Sequence, residues 1–323
     1  MFKTNKIYCG DSLGVLKRIE SNSVELVLTS PPYFQQRDYL GLGYGNECDE
    51  QEYLDNLLCI FSECHRVVSL NGHIVFNLGD KYFNGCLSLL PYKFALEVLE
   101  KFDVQLINQI TWVKSNPVPR QDDKKLIQAT EPFFIFAKSK NHYFNKEDYL
   151  KENTSQRKKS PNTKIGLGYF KQIENSSLSS KEKEDATIEL KKSINEVKEG
   201  EIESFRMKIR GIHALPYGGQ KGGRMNDINK KGFTIIRIYG NSIKRDVIEC
   251  PVETIKRGKH PAVYPKYICK QIIKLLTKEG DVVLDPFVGS GTTCLVAKEL
   301  NRKYIGIDIE QEYVAYANER LES

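Results

Sequence analysis

The chain has 323 residues, 40% of them apolar and 28% charged, with a net charge of +6. At roughly 150 residues per domain this suggests about two domains, large enough to bury a core without disulfides or metals, and the composition excludes wholesale disorder. A mean hydropathy of −0.45, with no run approaching about 18 apolar residues, excludes a membrane-spanning helix, and MFKTNKIYCGDSLG lacks a secretory signal's apolar stretch.

In chain order, VELVL at 24–28 is a buried strand stopped by Pro31-Pro32. Residues 51–68 carry apolar side chains at helical spacing, and Asn71-Gly72 is expected to close that helix before a strand at 73–79. A helix at 93–102 and strands at 104–113 and 131–138 complete an α/β rhythm. Regularity fades beyond 140, where a polar helix at 181–198 and an alternating strand pair within 232–240 are predicted. It returns with a helix from Pro265 to about 276, a strand at 281–285, a helix at 292–300, a strand at 303–308 and a last helix over about 310–321. The eight cysteines show no C-x-x-C spacing, so they read as buried thiols in a reducing cytoplasm, with no zinc site.

The charge is regional. Residues 141–260 hold 25 Lys and Arg against 16 Asp and Glu, while the rest of the chain holds 23 against 26. Within the basic stretch, Arg206, Lys208, Arg210, Lys221, Arg224, Lys230 and Lys231 accompany His213, Tyr217 and two glycine pairs, a mixture suited to phosphate contacts.

Two motifs carry chemistry. DPFVGSGTT at 285–293 lies between a strand and a helix, where glycines permit close backbone approach and a helix N-terminus, capped by Thr292, offers N–H groups. Asp308 ends the next strand, 23 residues after Asp285, where an acid suits ribose hydroxyls. The loop fits neither G-x-G-x-x-G nor a Walker pattern, and Asp285 suits a cationic amino or sulfonium group rather than a phosphate. The second motif, Ser30-Pro31-Pro32-Tyr33, also follows a strand. Its prolines remove two N–H donors and leave bare carbonyl oxygens, Ser30 adds a further acceptor, and Tyr33 offers a ring for stacking. Together they suit the amino group of a planar base. Only 15 residues follow Asp308, so the N-terminal strands must complete the sheet of the C-terminal ones.

In this order the strings SPPY, RDY (37–39), GHIVFNLGD (72–80), WVK with Asn116-Pro117 and Pro119, FAK (136–138), HPA (260–262) and DPFVGSGTT resemble the amino-group DNA methyltransferases, in the order of their beta group. The resemblance covers nearly all of residues 5–140 and 258–321. It implies an α/β, Rossmann-like S-adenosylmethionine-dependent methyltransferase fold, circularly permuted, with an inserted target-recognition domain. The catalytic half would span 1–140, the DNA-binding insertion 141–258 and the cofactor half 259–323. By the resemblance, Ser30 Oγ and the Pro31 carbonyl accept the hydrogens of the target amine, Pro32 shapes the loop and Tyr33 stacks on a flipped base. S-adenosyl-L-methionine would contact Asp285, Pro286, Phe287, Gly289, Ser290, Gly291 and Thr292, with Asp308 on its ribose. Asp11 corresponds to an acid that recognises the adenine amine, or else caps a helix; His260 touches the methionine end or caps the next helix. Arg37 joins the basic residues of the insertion as a DNA contact.

Serine in the first position of SPPY is associated with cytosine N4; adenine N6 is the alternative. Cys250-Pro251 is the reverse of the Pro-Cys of C5-cytosine enzymes. A glutamine methyltransferase and a DNA-binding module without catalysis are the competing readings. The expected partner is double-stranded DNA and not a membrane, with a homodimer and a cognate restriction endonuclease left open.

Overall fold

A computed structural model describes residues 2–36, 43–83, 85–117, 124–146, 149, 166–199, 201–202, 204–213, 223–238, 245–253 and 265–322. The elements run β1 (Lys6–Cys9), α1 (Ser12–Leu16), β2 (Val24–Thr29), α2 (Glu50–Val67), β3 (Val68–Asn77), β4 (Tyr82–Phe83), β5 (Cys86–Leu87), α3 (Leu90–Lys101), β6 (Gln105–Lys114) and β7 (Thr130–Ala137). They continue with α4 (Leu167–Glu174), α5 (Ser180–Lys198), β8 (Ser204–Ile209), α6 (Gly223–Lys231), β9 (Phe233–Ile238), β10 (Val247–Cys250), α7 (Lys266–Leu276), β11 (Val282–Asp285), α8 (Thr292–Glu299), β12 (Lys303–Asp308) and α9 (Gln311–Glu322). The chain divides into two compact units, Met1–Lys151 with Lys244–Ser323, and Glu152–Ile243.

The first unit is built on an eight-stranded sheet of order β1-β12-β11-β2-β3-β7-β6-β10. Only β7 runs antiparallel to its neighbours. As the short C-terminal half required, strands from both ends of the chain share this sheet: β2 pairs with β11 and β1 with β12. Alternation along each strand feeds two cores. Val27, Phe134 and Phe136 pack on one face with Leu16, Leu57, Phe61 and Phe94, while Leu26, Leu28, Phe133 and Ile135 pack on the other with Ile272, Val296 and Val314. Burial on both faces explains why VELVL and FFIFA read as continuous apolar runs. The sheet reaches beyond the charge boundaries, since β10 pairs with β6 and Asn145 N–H donates to the Leu275 carbonyl at 2.7 Å.

Asn71-Gly72 does not close α2; it lies inside β3, which follows the helix directly. Register shifts between Val24 and Leu26 where β2 meets β3, and a Cβ on Gly72 would lie 2.5 Å from the Glu25 carbonyl oxygen. The glycine is there for close strand approach, not for a helix stop. The expectation of buried cysteines holds for Cys64, Cys250, Cys269 and Cys294; Cys9, Cys48, Cys59 and Cys86 are exposed, and all eight are free thiols. Among the described residues no cluster of metal-ligating side chains occurs, and no helix is long and apolar enough to cross a membrane.

The second unit packs α4 and α5 against an antiparallel β8-β9 pair joined through α6, with Ile173, Leu190, Phe205, Met207, Ile209 and Phe233 in its core. The predicted strand pair within 232–240 is one strand, β9, whose partner is β8. The polar helix is α5, opened by a capping box between Ser179 and Glu182.

Gly72→Ala is expected to destabilise the protein by about 1–3 kcal/mol through this overpacking, read as a lowered thermal midpoint; an unchanged midpoint would show that the β2 bulge yields freely.

Candidate active site at the carboxyl edge of the sheet

Open α/β sheets bind ligands outside the carboxyl ends of their strands. Here β1, β12, β11, β2, β3 and β6 all end at one edge, and β7, running oppositely, begins there. Gly10-Asp11, Asp308, the 285–291 loop, the 29–33 loop, Asn77, Lys114 and Glu131 are therefore neighbours along one edge although they are scattered through the sequence.

Asp285 joins the two motifs. Its side chain is 1% exposed. Oδ1 accepts from Thr29 Oγ1 at 2.7 Å and from Phe287 N–H at 3.0 Å, and Oδ2 accepts from Thr293 Oγ1 at 2.6 Å. Thr29 immediately precedes the Ser-Pro-Pro-Tyr loop, and Thr293 lies in the first turn of α8. Burial pushes the Asp285 carboxyl up to about 6, against the three hydrogen bonds that lower it. Its burial and partners make it an internal tie between the 29–33 and 285–291 loops.

The cofactor loop is fixed from several sides. Asp308 Oδ2 accepts from Gly289 N–H at 2.8 Å and Oδ1 from Glu310 N–H at 3.0 Å, and burial raises the pKa of this carboxyl as well. Ser12 Oγ donates to the Pro286 carbonyl at 2.6 Å. Arg320 of α9, which the sequence did not single out, donates to the Ser290 carbonyl and at 3.3 Å to Thr292 Oγ1. Thr292 is not the helix cap; Gly291, in the left-handed region with φ 81°, occupies that position. Ser290 and Thr292 are buried with their hydroxyls 3.2 Å apart, so their side chains serve the loop. Pro286 and Gly289 are buried, and Phe287 is half-buried with its ring edge-on to Tyr44 at 5.2 Å. Asp11 caps α1, its Oδ2 accepting from Gly14 N–H at 2.8 Å.

In the catalytic loop, Ser30 and Tyr33 are half-buried and Pro31 is buried. The Pro32 carbonyl is not bare, because Tyr53 donates to it at 2.9 Å. The Tyr33 hydroxyl meets Asn77 Oδ1 at 2.9 Å and Glu131 Oε2 at 3.0 Å. Ser30 Oγ lies 3.2 Å from the Tyr33 hydroxyl and 3.3 Å from Asn77 Oδ1. A Cβ on Gly79 would sit 2.4 Å from the Tyr33 ring, so only glycine leaves room for this ring position. Asn77, Gly79, Lys114 and Glu131 were not assigned roles from sequence, although three of them fall inside the quoted strings; a contact spanning 98 residues, as between Tyr33 and Glu131, leaves no local periodicity.

The basic residues separate. Arg206, Lys230 and Lys231 are exposed and Lys208 is half-buried. Arg210 is held by Glu182, its Nη2 donating to both carboxylate oxygens at 2.8 and 2.9 Å. That pairing ties β8 to α5. Arg224 lies in α6, and Arg37, Lys221 and His260 lie outside the described residues.

Because the Asp285 carboxyl is raised towards about 6 in the folded protein, folding binds a proton more tightly there. Its contribution is complete below the unfolded value of about 4 and is lost as pH rises through about 6. Unfolding of wild type and Asp285→Asn between pH 4 and 8 should show the wild type losing up to about 3 kcal/mol relative to the variant as pH rises. A difference independent of pH would mean that this carboxyl does not titrate in that range.

A family profile described as DNA methylase matches residues 24–319. The chain is 27% identical to the type II methyltransferase M.SfiI of Streptomyces fimbriatus, over 95% of this chain and 89% of that protein. It is 25% identical to the type II methyltransferase M.Cfr9I of Citrobacter freundii, over 98% and 87%. Among solved structures, the PvuII cytosine-N4-specific DNA methyltransferase superposes with a TM-score of 0.58 at 19% identity, covering 98% of this chain and 90% of that one. The complex of M1.HpyAVI with S-adenosylmethionine superposes with a TM-score of 0.51 at 19% identity, over 98% and 99%. With nearly its whole length matched, the chain belongs to the N6/N4 DNA methylase family.

Proposed function

We propose that this protein transfers a methyl group from S-adenosyl-L-methionine to the exocyclic N4 of a flipped cytosine in double-stranded DNA. The observation that carries the reading is that Ser30-Pro31-Pro32-Tyr33 and the 285–291 loop meet at one sheet edge, tied by Asp285. Serine in the first position supports cytosine N4 over adenine N6, and the type II relatives support a role in restriction-modification. A cytoplasmic setting, a cognate endonuclease and a homodimer belong to the same reading. So does a circularly permuted core, with catalytic residues first, cofactor residues last, and the basic region between them serving target recognition through Arg206, Lys208, Lys230 and Lys231, with Arg37, Lys221 and Arg224 as further contacts.

The residues at the edge fit the cofactor. Asp308 is a partly buried carboxylate that accepts the backbone N–H groups of Gly289, Ile309 and Glu310, and a carboxylate with about four lone-pair sites retains acceptor capacity for a ribose hydroxyl. Phe287 offers an apolar surface beside it, and Asp11 and His260 are assigned to the adenine and methionine ends. When bound, S-adenosyl-L-methionine supplies a methyl group already activated by the sulfonium charge. Ser30 Oγ and the Pro31 carbonyl accept the hydrogens of the target amine, so that its lone pair turns to the methyl group. Tyr33 stacks on the base. Extrusion from the duplex costs a few kcal/mol, offset by cationic contacts to phosphates. Placement supplies most of the acceleration, and no covalent intermediate with the protein is required.

Incubation with labelled S-adenosyl-L-methionine and duplex DNA, then digestion to nucleosides, tests this reading. Label is expected on N4-methylcytosine; label on N6-methyladenine would correct the base, and unlabelled DNA would refute the activity. Tyr33→Ala should lower turnover about ten- to a hundred-fold through lost stacking while cofactor affinity is kept; wild-type turnover would remove Tyr33 from the site. Asp308→Ala should weaken cofactor binding by roughly the same factor, and unchanged affinity by calorimetry would refute its ribose role.

A further inference from the structure

Glu131 lies on β7 opposite Trp112 of β6, where both strands meet the catalytic edge. It is 9% exposed, and a buried carboxylate is costly unless both oxygens are partnered. Its oxygens have different partners: Oε1 takes the ammonium of Lys114, and Oε2 faces the Tyr33 hydroxyl at 3.0 Å. Replacing such an ion pair by apolar side chains is often neutral or stabilising, so fold stability alone does not account for it.

Hydrogen counting gives it a task. An ionised carboxylate only accepts and an ammonium only donates. Asn77 is oriented by its own Nδ2, which donates to the Pro132 carbonyl at 3.0 Å, so its Oδ1 also faces the loop as an acceptor. Among the described residues, the acceptors facing the single hydrogen of the Tyr33 hydroxyl are Glu131 and Asn77, and with either one it points away from Ser30. The Ser30 hydrogen points inward too, to the Tyr33 oxygen at 3.2 Å or Asn77 Oδ1 at 3.3 Å, long contacts of a kind that tighten when substrate binds. What Ser30 Oγ can offer an incoming group is lone pairs.

We propose that Glu131, fixed by Lys114, is a positioning residue that sets the direction of the Ser30–Tyr33 hydroxyl chain and so keeps Ser30 Oγ an acceptor for the target amine. This rests on the methyl-transfer reading above. Lys114 demands an oxygen on its side of residue 131. A glutamine there would turn its carbonyl to Lys114 and an amide hydrogen to the Tyr33 oxygen, and the Tyr33 hydrogen would take Asn77 Oδ1, so that both inward acceptors of the Ser30 hydrogen become contested in a side chain of nearly unchanged shape. Removing the ammonium frees the glutamine to turn back.

Steady-state methyl transfer to duplex DNA tests this with wild type, Glu131→Gln, and the double variant Glu131→Gln with Lys114→Met. Glu131→Gln should lower kcat at least about tenfold with KM for DNA and cofactor affinity little changed, measured well below the midpoint that unpairing the buried Lys114 ammonium lowers. The double variant should recover most of that loss. Wild-type kcat in Glu131→Gln, or a double variant as slow as the single one, would overturn the role; a merely structural pair moves the midpoint, down in the single variant and back in the double one, without lowering kcat at temperatures below it. Absence of label with the wild-type protein would overturn the activity, and this role with it, and is distinguishable because it needs no variant.

Discussion

A carboxylate with almost no solvent contact, Asp285, holds the functional edge together. Its three hydrogen bonds reach the residue before the catalytic loop, the backbone of the cofactor loop and the first turn of α8. The farthest of them in the chain, Thr29, is 256 residues from Asp285. Ionising such a group in the interior is unfavourable unless donors converge on it, and convergence requires β2 and β11 to be neighbours. They are, with Val27 opposite Leu284 in a parallel pair. One polar contact thus depends on the sheet order and in return fixes the spacing of the 29–33 and 285–291 loops, to which the proposed chemistry is assigned.

The rest of the edge repeats this arrangement. Asp308 anchors the glycine turn, Arg320 pins the Ser290 carbonyl, and Ser12 ties α1 to Pro286. On the catalytic side, Asn77, Glu131 and Lys114 surround the Tyr33 hydroxyl while Gly79 backs its ring. Reacting groups in such a site need holding to within a fraction of an ångström by side chains that themselves have fixed partners. Most polar side chains here have internal partners, which leaves backbone groups, the Ser30 oxygen and the outer lone pairs of Asp308 to face a ligand.

Much of this was legible in the sequence. The apolar runs at 24–28, 131–138 and 281–285 are strands because burial on both faces requires continuous hydrophobicity, and both motifs sit where a strand ends. What escaped were features set by tertiary contact. Asn71-Gly72 looks like a helix stop but serves strand approach. KIYC and SFRMKI are strands in which Lys6, Arg206 and Lys208 break up the apolar run that marks the others. Thr292 resembles a cap, yet Gly291 takes the left-handed position. The pairing of Arg210 with Glu182, 28 residues earlier, left no local signal either. Charge counting along the chain registers how many basic groups a region has, not which are already paired in three dimensions.

A crystal structure of the protein with S-adenosylhomocysteine and a duplex carrying its target site tests the central claim most directly. The account predicts one base out of the stack, its amino nitrogen within about 3 Å of Ser30 Oγ and the Pro31 carbonyl, its ring against Tyr33, and the ribose hydroxyls on Asp308. A target base bound away from Ser30, or a cofactor lying off the 285–291 loop, would contradict it.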